Sequence, residues 1–345
     1  MKRATITGIT GQGGSHLARH LIAKGYSVVG GCRRMDAADL WRLEALGVRD
    51  HPNLQLMEYD AIDPNAAVKL IEASRPDEIY HLAAQAHVGR SFETPYATAM
   101  ITGLGTLHML EAMRRVAPEA KFLQASSSEL FGNTKISPQS ETTPFKPRSP
   151  YGAAKLYAYS LTVNYAEAYG LFASNVILFN HESPLRSSEY VTRKITSSVA
   201  DFVVNGRGPL RLGNLSAQRD WGSAQEYVDG MWRILQAPSS DAFVLATGRT
   251  ESVRRLVEMA YATQAIDLEW DGTGSSERAI CRKTGREVVC VDEAFYRPSE
   301  VDLLIGDAGK AAAELQWVPQ VPLETIVEEM VAGDLHRARA VPLRL

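Results

Sequence analysis

A tyrosine and a lysine four residues apart, Tyr151 and Lys155, have the spacing that puts two side chains on one face of a helix. An ammonium group near a phenol favours the ionised phenol, so the pair predicts a base that removes a proton from a hydroxyl group. Ser149 and Pro150 directly precede Tyr151 and are typical of an N-cap and a first helical position. We therefore expect a helix that begins here and holds Tyr151 in place.

A second group of reactive side chains lies upstream, where Ser126, Ser127 and Ser128 are followed by Glu129. This run stands where a buried strand is predicted to end. Its hydroxyl donors and carboxylate exceed what a simple alcohol dehydrogenase requires, so the chain is predicted to carry out two proton transfers. A surface tyrosine with a solvated lysine is the alternative for Tyr151 and Lys155 taken alone.

The first half of the chain alternates short apolar runs with amphipathic stretches, which is typical of a parallel sheet covered by helices. The fold class is therefore predicted to be α/β, a doubly wound parallel sheet, with ligands outside the carboxyl ends of the strands. The predicted strands are Ala4 to Ile9, Ser27 to Gly31, Leu54 to Tyr59, Glu78 to Leu82, Lys121 to Ser126 and Val176 to Phe179. The predicted helices are Ser15 to Lys24, Ala66 to Ala73 and Gly103 to Val116.

Regular alternation weakens after the sixth predicted strand. We expect residues 1–180 to form a dinucleotide-binding domain of the Rossmann type, completed by about 221–260. Residues 181–220 and 261–345 are predicted to form a smaller substrate-binding lobe. The sequence contains no internal repeat and no flexible linker, so the two parts are expected to form one unit with a cleft between them.

The first predicted strand leads into a glycine-rich loop that opens a helix. Glycines at positions 8, 11 and 14 let the backbone turn sharply and approach a pyrophosphate, which a helix N-terminus also attracts. A tight turn by itself favours glycine, but the strand and helix around this one predict a dinucleotide. The loop residues assigned to the cofactor are Gly8, Thr10, Gly11, Gln12, Gly13 and Gly14.

Two arginines, Arg33 and Arg34, follow the second predicted strand, where NAD enzymes commonly place an acid for the ribose hydroxyl. Guanidinium groups attract a 2′-phosphate instead, so NADP is the predicted cofactor. A solvated basic turn is the alternative. The later strand ends are assigned to the same cofactor, with Asp60 as an acceptor for adenine, and they comprise Asp60, Ala61, Leu82, Ala83 and Ala84.

Composition limits the classes of partner. The chain has 345 residues, 45% of them hydrophobic and 22% charged, with a net charge of -3. It therefore lacks the basic excess that binding to nucleic acid or an anionic membrane requires, and no run reaches membrane-spanning length. Three cysteines at irregular spacing predict neither a disulfide framework nor a metal site. We expect a cytoplasmic protein with reduced thiols.

The glycine loop together with Tyr151 and Lys155 resembles the extended short-chain dehydrogenase/reductases. Longer strings resemble one family within that group, the GDP-mannose 4,6-dehydratases, and the resemblance runs from Arg3 to about Asp334. The strings that carry it are Gly8 to Gln12, Ser149 to Tyr157, Phe179 to Pro184, Val191 to Lys194, Arg219 to Gly222 and Tyr296 to Pro298.

The resemblance implies a lyase with bound NADP, which takes a hydride from C4 of a GDP-sugar and returns it to C6. It implies that Tyr151, aided by Lys155, removes the proton of the C4 hydroxyl. Glu129, beside Ser127, would remove the C5 proton, with acid assistance to the loss of the C6 hydroxyl as water. The remaining implied contacts are His181 to the cofactor and Ser127, Glu129, Asn180, Val191, Lys194, Arg219, Arg297 and Glu300 to the substrate.

The resemblance also implies a homodimer or homotetramer, and in the family's tetramers the segment from Arg34 to Arg42 reaches a neighbour's cofactor. Four positions depart from the family pattern. Gly13 stands in place of Asp, Ala86 of Ser, Thr102 of an acid and Ser127 of Thr. The small Ala86 leaves GDP-manno-heptose open as a substrate. A nucleotide-sugar epimerase or reductase, and an NADP sensor without catalytic activity, also stay open as functions.

Overall fold

The computed structural model describes residues 1–296, 301 and 303–340 of the chain. In chain order the strands are β1 (Arg3–Thr7), β2 (Ser27–Cys32), β3 (Leu54–Glu58), β4 (Glu78–His81), β5 (Lys121–Ser127), β6 (Ala173–Leu178), β7 (Asn180–Glu182), β8 (Leu210–Leu212), β9 (Gln218–Arg219), β10 (Trp221–Ser223), β11 (Ala242–Leu245), β12 (Glu251–Ser252), β13 (Leu268–Asp271), β14 (Arg278–Cys281), β15 (Glu287–Val291) and β16 (Leu303–Leu304).

The helices follow the same order. They are α1 (Gln12–Ala23), α2 (Ala37–Ala45), α3 (Pro64–Ser74), α4 (Val88–Glu93), α5 (Pro95–Thr98), α6 (Gly105–Val116), α7 (Pro150–Tyr169), α8 (Val191–Asn205), α9 (Ala224–Gln236), α10 (Val253–Ala262), α11 (Gly309–Leu315) and α12 (Leu323–Ala340). A π-helical segment, Ala99–Leu104, leads into α6, and short 3-10 turns lie at Ser128–Leu130, Gly274–Ser276 and Glu293–Phe295.

The main sheet has seven parallel strands in the order β11, β6, β5, β4, β1, β2, β3. The chain builds outward from β1 to β3 and then returns to place β4 on the other side of β1, so the strand order reverses between β1 and β4. In sheets of this kind ligands bind outside the carboxyl ends of the strands, next to the reversal. The predicted doubly wound fold is confirmed.

Helices cover both faces of this sheet. On one face Leu17 and Leu21 of α1 and Met231 of α9 are buried in the same cluster as Ile6 of β1. The other face carries a separate cluster with residues from α3 and α6. Because both faces are covered, most residues of the central strands β1, β4 and β5 are buried.

A further buried cluster joins α8, α10 and α12 to the sheet formed by β13, β14, β15 and β8. Its buried residues lie between Ile195 and Leu335, so it is a hydrophobic core for the later part of the chain. The predicted boundaries of the two lobes stay a prediction. In the part of the chain that the structure describes, no helix is both long and apolar enough to cross a membrane.

Element boundaries differ from the expected ones in a few places. The helix predicted from Gly103 begins at Gly105, because the preceding turn is π-helical and has a wider hydrogen-bond spacing. Strand β6 begins at Ala173, three residues before the predicted start at Val176. Periodicity alone does not reveal either feature, since both depend on how the backbone pairs in the folded chain.

Candidate active site

The start of α7 is held by the cap that the sequence predicts. The Ser149 hydroxyl accepts a hydrogen bond from the Gly152 backbone N–H at 3.0 Å, and Pro150 occupies the first helical turn. Tyr151 and Lys155 are 8% and 3% exposed and lie on the inner face of the helix. A well-capped helix start therefore fixes the direction of both side chains.

Gly152 allows this helix to lie against the turn that carries Glu129. A Cβ at position 152 would lie 2.9 Å from the Glu129 backbone oxygen and 2.9 Å from the Pro147 Cβ. Such distances are too short for a carbon atom without movement of the backbone. The absence of a side chain at Gly152 thus lets Tyr151 and Glu129 approach from separate elements.

Tyr151 and Glu129 both line one cavity of about 320 Å³, which lies at the carboxyl ends of the strands of the main sheet. Side chains from α7, from the end of β5 and from the glycine loop meet there. The predicted site residues that line it are Gly8, Gly11, Gln12, Gly13, Gly14, Leu82, Ala84, Ser127, Glu129, Tyr151, Lys155, Asn180, His181, Val191 and Arg219. The structure therefore brings the predicted catalytic and glycine-loop residues to one place.

The Tyr151 phenol and the Lys155 ammonium do not form a direct pair. Lys155 Nζ donates to the Ala125 carbonyl at 2.5 Å and lies 5.9 Å from the centre of the Tyr151 ring. Burial raises the pKa of the Tyr151 phenol, while a hydrogen bond with Ser127 and the charge of Arg186 lower it. Burial lowers the pKa of Lys155 to about 8. The Lys155 ammonium therefore lies beside the Tyr151 ring and is held by a carbonyl of another element.

The glycine loop presents open backbone at the start of α1. Gly8 has a φ of +70°, and a Cβ there would lie 2.9 Å from the Ala83 backbone nitrogen. A Cβ at Gly14 would collide with the Gly8 carbonyl oxygen. Helix α1 has Gly11 as its N-cap and no side-chain capping bond, so its first N–H groups are available to an anion.

Gln12 ties this loop to β7. Its Nε2 donates to the His181 carbonyl at 2.8 Å, and its Oε1 accepts from the Ser183 hydroxyl at 2.9 Å. Helix α1 is thereby joined to the segment that carries several predicted substrate residues. This connection links the glycine loop and β7 at the cavity wall.

His181 is a neutral acceptor beside the glycine loop. Its Nδ1 lies 3.0 Å from the Phe179 carbonyl, which can only accept, so Nδ1 carries the proton and Nε2 has a free lone pair. Burial and the charge of Arg186 lower the pKa of His181 to about 4. The ring stacks on Tyr227 with 5.2 Å between the ring centres, which holds its orientation.

Other predicted residues lie outside the cavity lining. Arg33 and Arg34 are exposed after β2, and Asp60 accepts from the Ile62 backbone N–H at 3.2 Å after β3. The Lys194 ammonium lies 5.0 Å from the Phe295 ring centre. Thr10, Ala61 and Ala83 flank the loop and strand ends without lining the cavity. Arg297 and Glu300 lie outside the described residues.

A segment that the sequence did not reveal closes the cavity between β7 and α8. Arg186 and Tyr190 both line it, and the Arg186 guanidinium lies 3.7 Å from the centre of the Tyr190 ring. The Tyr190 hydroxyl donates to the Ala86 carbonyl at 3.0 Å, which joins this segment to the residues after β4. In the sequence, the spacing of Arg186 four residues after Glu182 was the feature that could have indicated this segment. That spacing does not show that the segment turns toward the cavity.

Among the residues that the structure describes, no cluster of three or more His, Cys, Asp or Glu side chains could hold a metal ion. The side chains that line the cavity include a phenol, a carboxylate, hydroxyls and cations. These groups suit transfer of protons to and from a polar organic substrate.

Comparison with known proteins agrees with this geometry. Residues 5–330 match the family model described as GDP-mannose 4,6 dehydratase. A GDP-mannose 4,6-dehydratase of Sinorhizobium fredii is 48% identical over 343 residues, covering 98% of this chain and 98% of the relative.

Solved structures with lower sequence identity share the fold. A dTDP-glucose 4,6-dehydratase from Bacillus anthracis, in complex with NAD, has a TM-score of 0.80 at 18% identity, covering 99% of this chain and 98% of the other. RMD from Pseudomonas aeruginosa, complexed with NADPH, has a TM-score of 0.75 at 22% identity, covering 98% and 99%. The family model and the full-length relative decide the assignment: the chain belongs to the GDP-mannose 4,6-dehydratase family.

Proposed function

We propose that this chain dehydrates GDP-mannose to a GDP-4-keto-6-deoxy sugar. The observation that carries the proposal is the meeting of Glu129, Ser127 and Tyr151 at one cavity beside the glycine loop. A phenol base serves the oxidation of a hydroxyl group, and a separate carboxylate serves an elimination. An epimerase or a simple reductase does not need the second base.

Tyr151 removes the proton of the C4 hydroxyl in the first step. Burial raises the pKa of the phenol, so the base depends on the hydrogen bond from Ser127 and on nearby positive charge. Lys155, held at the Ala125 carbonyl, supplies a cation close to the ring. Oxidation turns C4 into a ketone, which makes the neighbouring C5 proton acidic.

Glu129 removes the C5 proton in the second step and assists the departure of the C6 hydroxyl as water. Its backbone N–H donates to Ser127 Oγ at 3.3 Å, so the turn after β5 presents the hydroxyl and the carboxylate together. The small hydroxyl of Ser127 contacts the oxygen at C4. One short turn thereby serves both stages of the reaction.

The glycine loop fits a dinucleotide by its own geometry. Gly8 and Gly14 sit where a Cβ would collide with backbone, and α1 begins without a side-chain cap. The N–H groups of this loop would hold the pyrophosphate, with Lys155 and His181 near the nicotinamide end. When bound, a nicotinamide cofactor accepts the C4 hydride and returns it to C6.

NADP is the proposed form of the cofactor because Arg33 and Arg34 follow β2 with exposed side chains. Replacing both with alanine should weaken NADP binding at least about tenfold and leave NAD binding unchanged, as fluorescence titration would measure. Arg115→Ala is the matched control, because that arginine lies 65% exposed on α6 in an ion pair with Glu111. Equal loss for both cofactors would contradict the assignment.

The substrate diphosphate and base are proposed to lie toward Asn180, Val191 and Arg219, which line the cavity. Arg219 is 8% exposed, so its charge is directed inward. Lys194, Arg297 and Glu300 complete the proposed contacts.

The activity test uses purified protein loaded with NADP. Incubation with GDP-mannose should give a product that has lost one water, detected by mass spectrometry, without accumulation of NADPH. Unchanged GDP-mannose from protein with bound NADP would overturn the proposal. Oxidation of added NADPH in proportion to product would indicate a reductase instead.

GDP-manno-heptose is a second candidate substrate, and Ala86 is the observation that favours it. Ala86 lines the cavity, and an alanine there takes less space than a serine, which suits a longer substituent at C6. Parallel assays with both sugars decide between them. Higher kcat/KM for the heptose would assign that substrate to the same chemistry.

A further inference from the structure

Arg186 lies in the cavity wall and is held on two sides. Its Nε lies 3.1 Å from Glu182 Oε2, and its guanidinium stacks 3.7 Å from the Tyr190 ring centre. The side chain is 15% exposed and lines the cavity with Tyr151. A planar guanidinium with its Nε in an ion pair and one face stacked has little freedom to turn.

Glu182 is itself fixed from a second direction. The Thr192 hydroxyl, in the first turn of α8, donates to Glu182 Oε2 at 2.7 Å, and the carboxylate is 2% exposed. Burial raises the pKa of Glu182, while the charge of Arg186 and the Thr192 hydrogen bond lower it. The two groups that the buried carboxylate contacts thus oppose the effect of burial and fix its position.

The charge of Arg186 reaches several groups of the site. It lowers the pKa values of His181 and Tyr151, and it lowers that of Tyr190. Lys155, in contrast, points its ammonium at the Ala125 carbonyl. Arg186 is thus one source of positive charge at the Tyr151 phenol, and its orientation affects how strongly that charge acts there.

We propose that Glu182 is a positioning residue, which with Thr192 and Tyr190 holds Arg186 in the orientation that assists Tyr151 as a base. The inference rests on the proposed function, because it concerns the first proton transfer of that reaction. A buried ion pair contributes little net stability against its desolvation, so its geometry is the property to test. Removing the Glu182 charge should release the guanidinium from its fixed place.

The titratable and charged groups around the two residues come from several elements. Glu129 on the turn after β5, Lys155 on α7 and Tyr190 before α8 surround Tyr151, together with Arg186. The groups around Arg186 are Glu182, His181, Tyr190 and Arg42 of α2. Burial, together with the charges of Arg193 and Arg186, lowers the pKa of Arg42 to about 10. Within this set, the carboxylate that forms an ion pair with Arg186 is that of Glu182.

The test is the pH dependence of kcat in Glu182→Gln, which keeps the shape of the side chain and removes its charge. Activity rises with pH as Tyr151 loses its proton. A displaced Arg186 leaves the phenol less acidic, so this rise should move to higher pH by about one unit, the low end of what a nearby opposite charge produces. Glu182→Asp, which restores the charge, should recover part of the shift.

Glu78→Gln is the matched control. Glu78 is also a buried glutamate in an ion pair, with Lys2 at 2.9 Å, but it lies at the opposite end of the sheet. Both variants should lower Tm, and only Glu182→Gln should move the pH profile. A lowered Tm with an unmoved profile in Glu182→Gln would make its role structural and overturn the inference. A shift to lower pH would overturn it too, since Glu182 would then only neutralise Arg186.

A double-mutant cycle separates positioning from an independent effect. In an Arg186→Met background, Glu182→Gln should add no further shift, and a full additional shift would contradict the proposal. Where Glu182→Gln does not fold, Thr192→Val removes the hydroxyl that holds the carboxylate and should shift the profile in the same direction. Absence of turnover in the wild-type chain would contradict the proposed function. An active wild-type chain whose Glu182→Gln variant shows no shift in the pH profile would contradict this inference alone.

Discussion

The Tyr151 phenol lies in a cavity wall where burial opposes its ionisation. Three neighbours from different elements lie around it. Ser127 provides a hydrogen bond, Arg186 a charge, and Lys155 an ammonium tied to the Ala125 carbonyl. Glu129 shares the cavity but contacts the substrate at another carbon in the proposed reaction. At the scale of single residues, the two proton transfers are therefore separable by substitution.

Replacing Glu129 with glutamine should abolish the second transfer and spare the first. An amide cannot take the C5 proton, so exchange of that hydrogen with deuterium from solvent should fall at least about 100-fold. NADP binding and the transient absorbance of reduced cofactor should persist. Mass spectrometry and stopped-flow absorbance would measure the two steps.

Tyr151→Phe is the control for that variant, because it should lose the absorbance change and the exchange together. Exchange at the wild-type rate in Glu129→Gln would remove Glu129 from the role of base. Loss of the absorbance change in the same variant would mean that Glu129 also serves the first step.

Three chain segments deliver these residues. Helix α7 carries Tyr151 and Lys155. The end of β5 and the turn after it carry Ser127 and Glu129, and the segment between β7 and α8 carries Arg186 and Tyr190. The first two segments touch where Gly152 has no side chain. At the scale of elements, the site depends on close approach between α7 and the β5 turn.

Gly152→Ala should disturb that approach. Alanine favours the helix, but its Cβ would press on the Glu129 carbonyl, and overpacking of this kind costs about 1–3 kcal/mol. The expected results are a lower free energy of unfolding in urea and a kcat reduced at least about tenfold, as Tyr151 and Glu129 move apart. Ala153→Ser on the exposed side of the same turn is the control. Wild-type kcat in Gly152→Ala would show that the turn adapts.

Ionisable histidines are buried both in the main sheet and in a helix that packs on it. His16 and His81 are 3% and 0% exposed. Burial, with the charges of Arg19 and His181, lowers the pKa of His16 to about 4, and burial with the charge of Lys155 lowers that of His81 to about 3. Both histidines are therefore neutral in the folded protein at pH values where the unfolded chain binds protons.

Acid should destabilise the fold through these two groups. Between about pH 6.5 and 4 the histidines of the unfolded chain bind protons, whereas those of the native protein stay neutral. The free energy of unfolding is therefore highest above that window and decreases as the pH is lowered through it, by up to about 1.4 kcal/mol per pH unit for each histidine. Urea unfolding at several pH values would measure the slope.

His81→Asn isolates one contribution to that slope. Its amide oxygen can take the place of the His81 Nδ1, which lies 2.8 Å from the Thr7 hydroxyl, while nothing titrates. The variant should show a smaller slope than the wild type over the same window. An unchanged slope would mean that His81 does not contribute to the acid sensitivity.

The sequence by itself determined the elements whose cause is local. Apolar runs of strand length predicted the parallel sheet, Ser149 and Pro150 predicted the start of α7, and the glycines at 8, 11 and 14 predicted a sharp turn before α1. Each of these depends on backbone preferences within a few residues, which composition and spacing express directly.

Only the tertiary structure decided which charges surround the phenol. Spacing placed Lys155 on the same face as Tyr151, yet its ammonium donates to Ala125 of another element, while Arg186 arrives from a segment 35 positions later along the chain than Tyr151. Glu182 and Thr192 hold that arginine through contacts that form only once β7 and α8 have packed. Electrostatic environment is a property of packing, so no local pattern could reveal it.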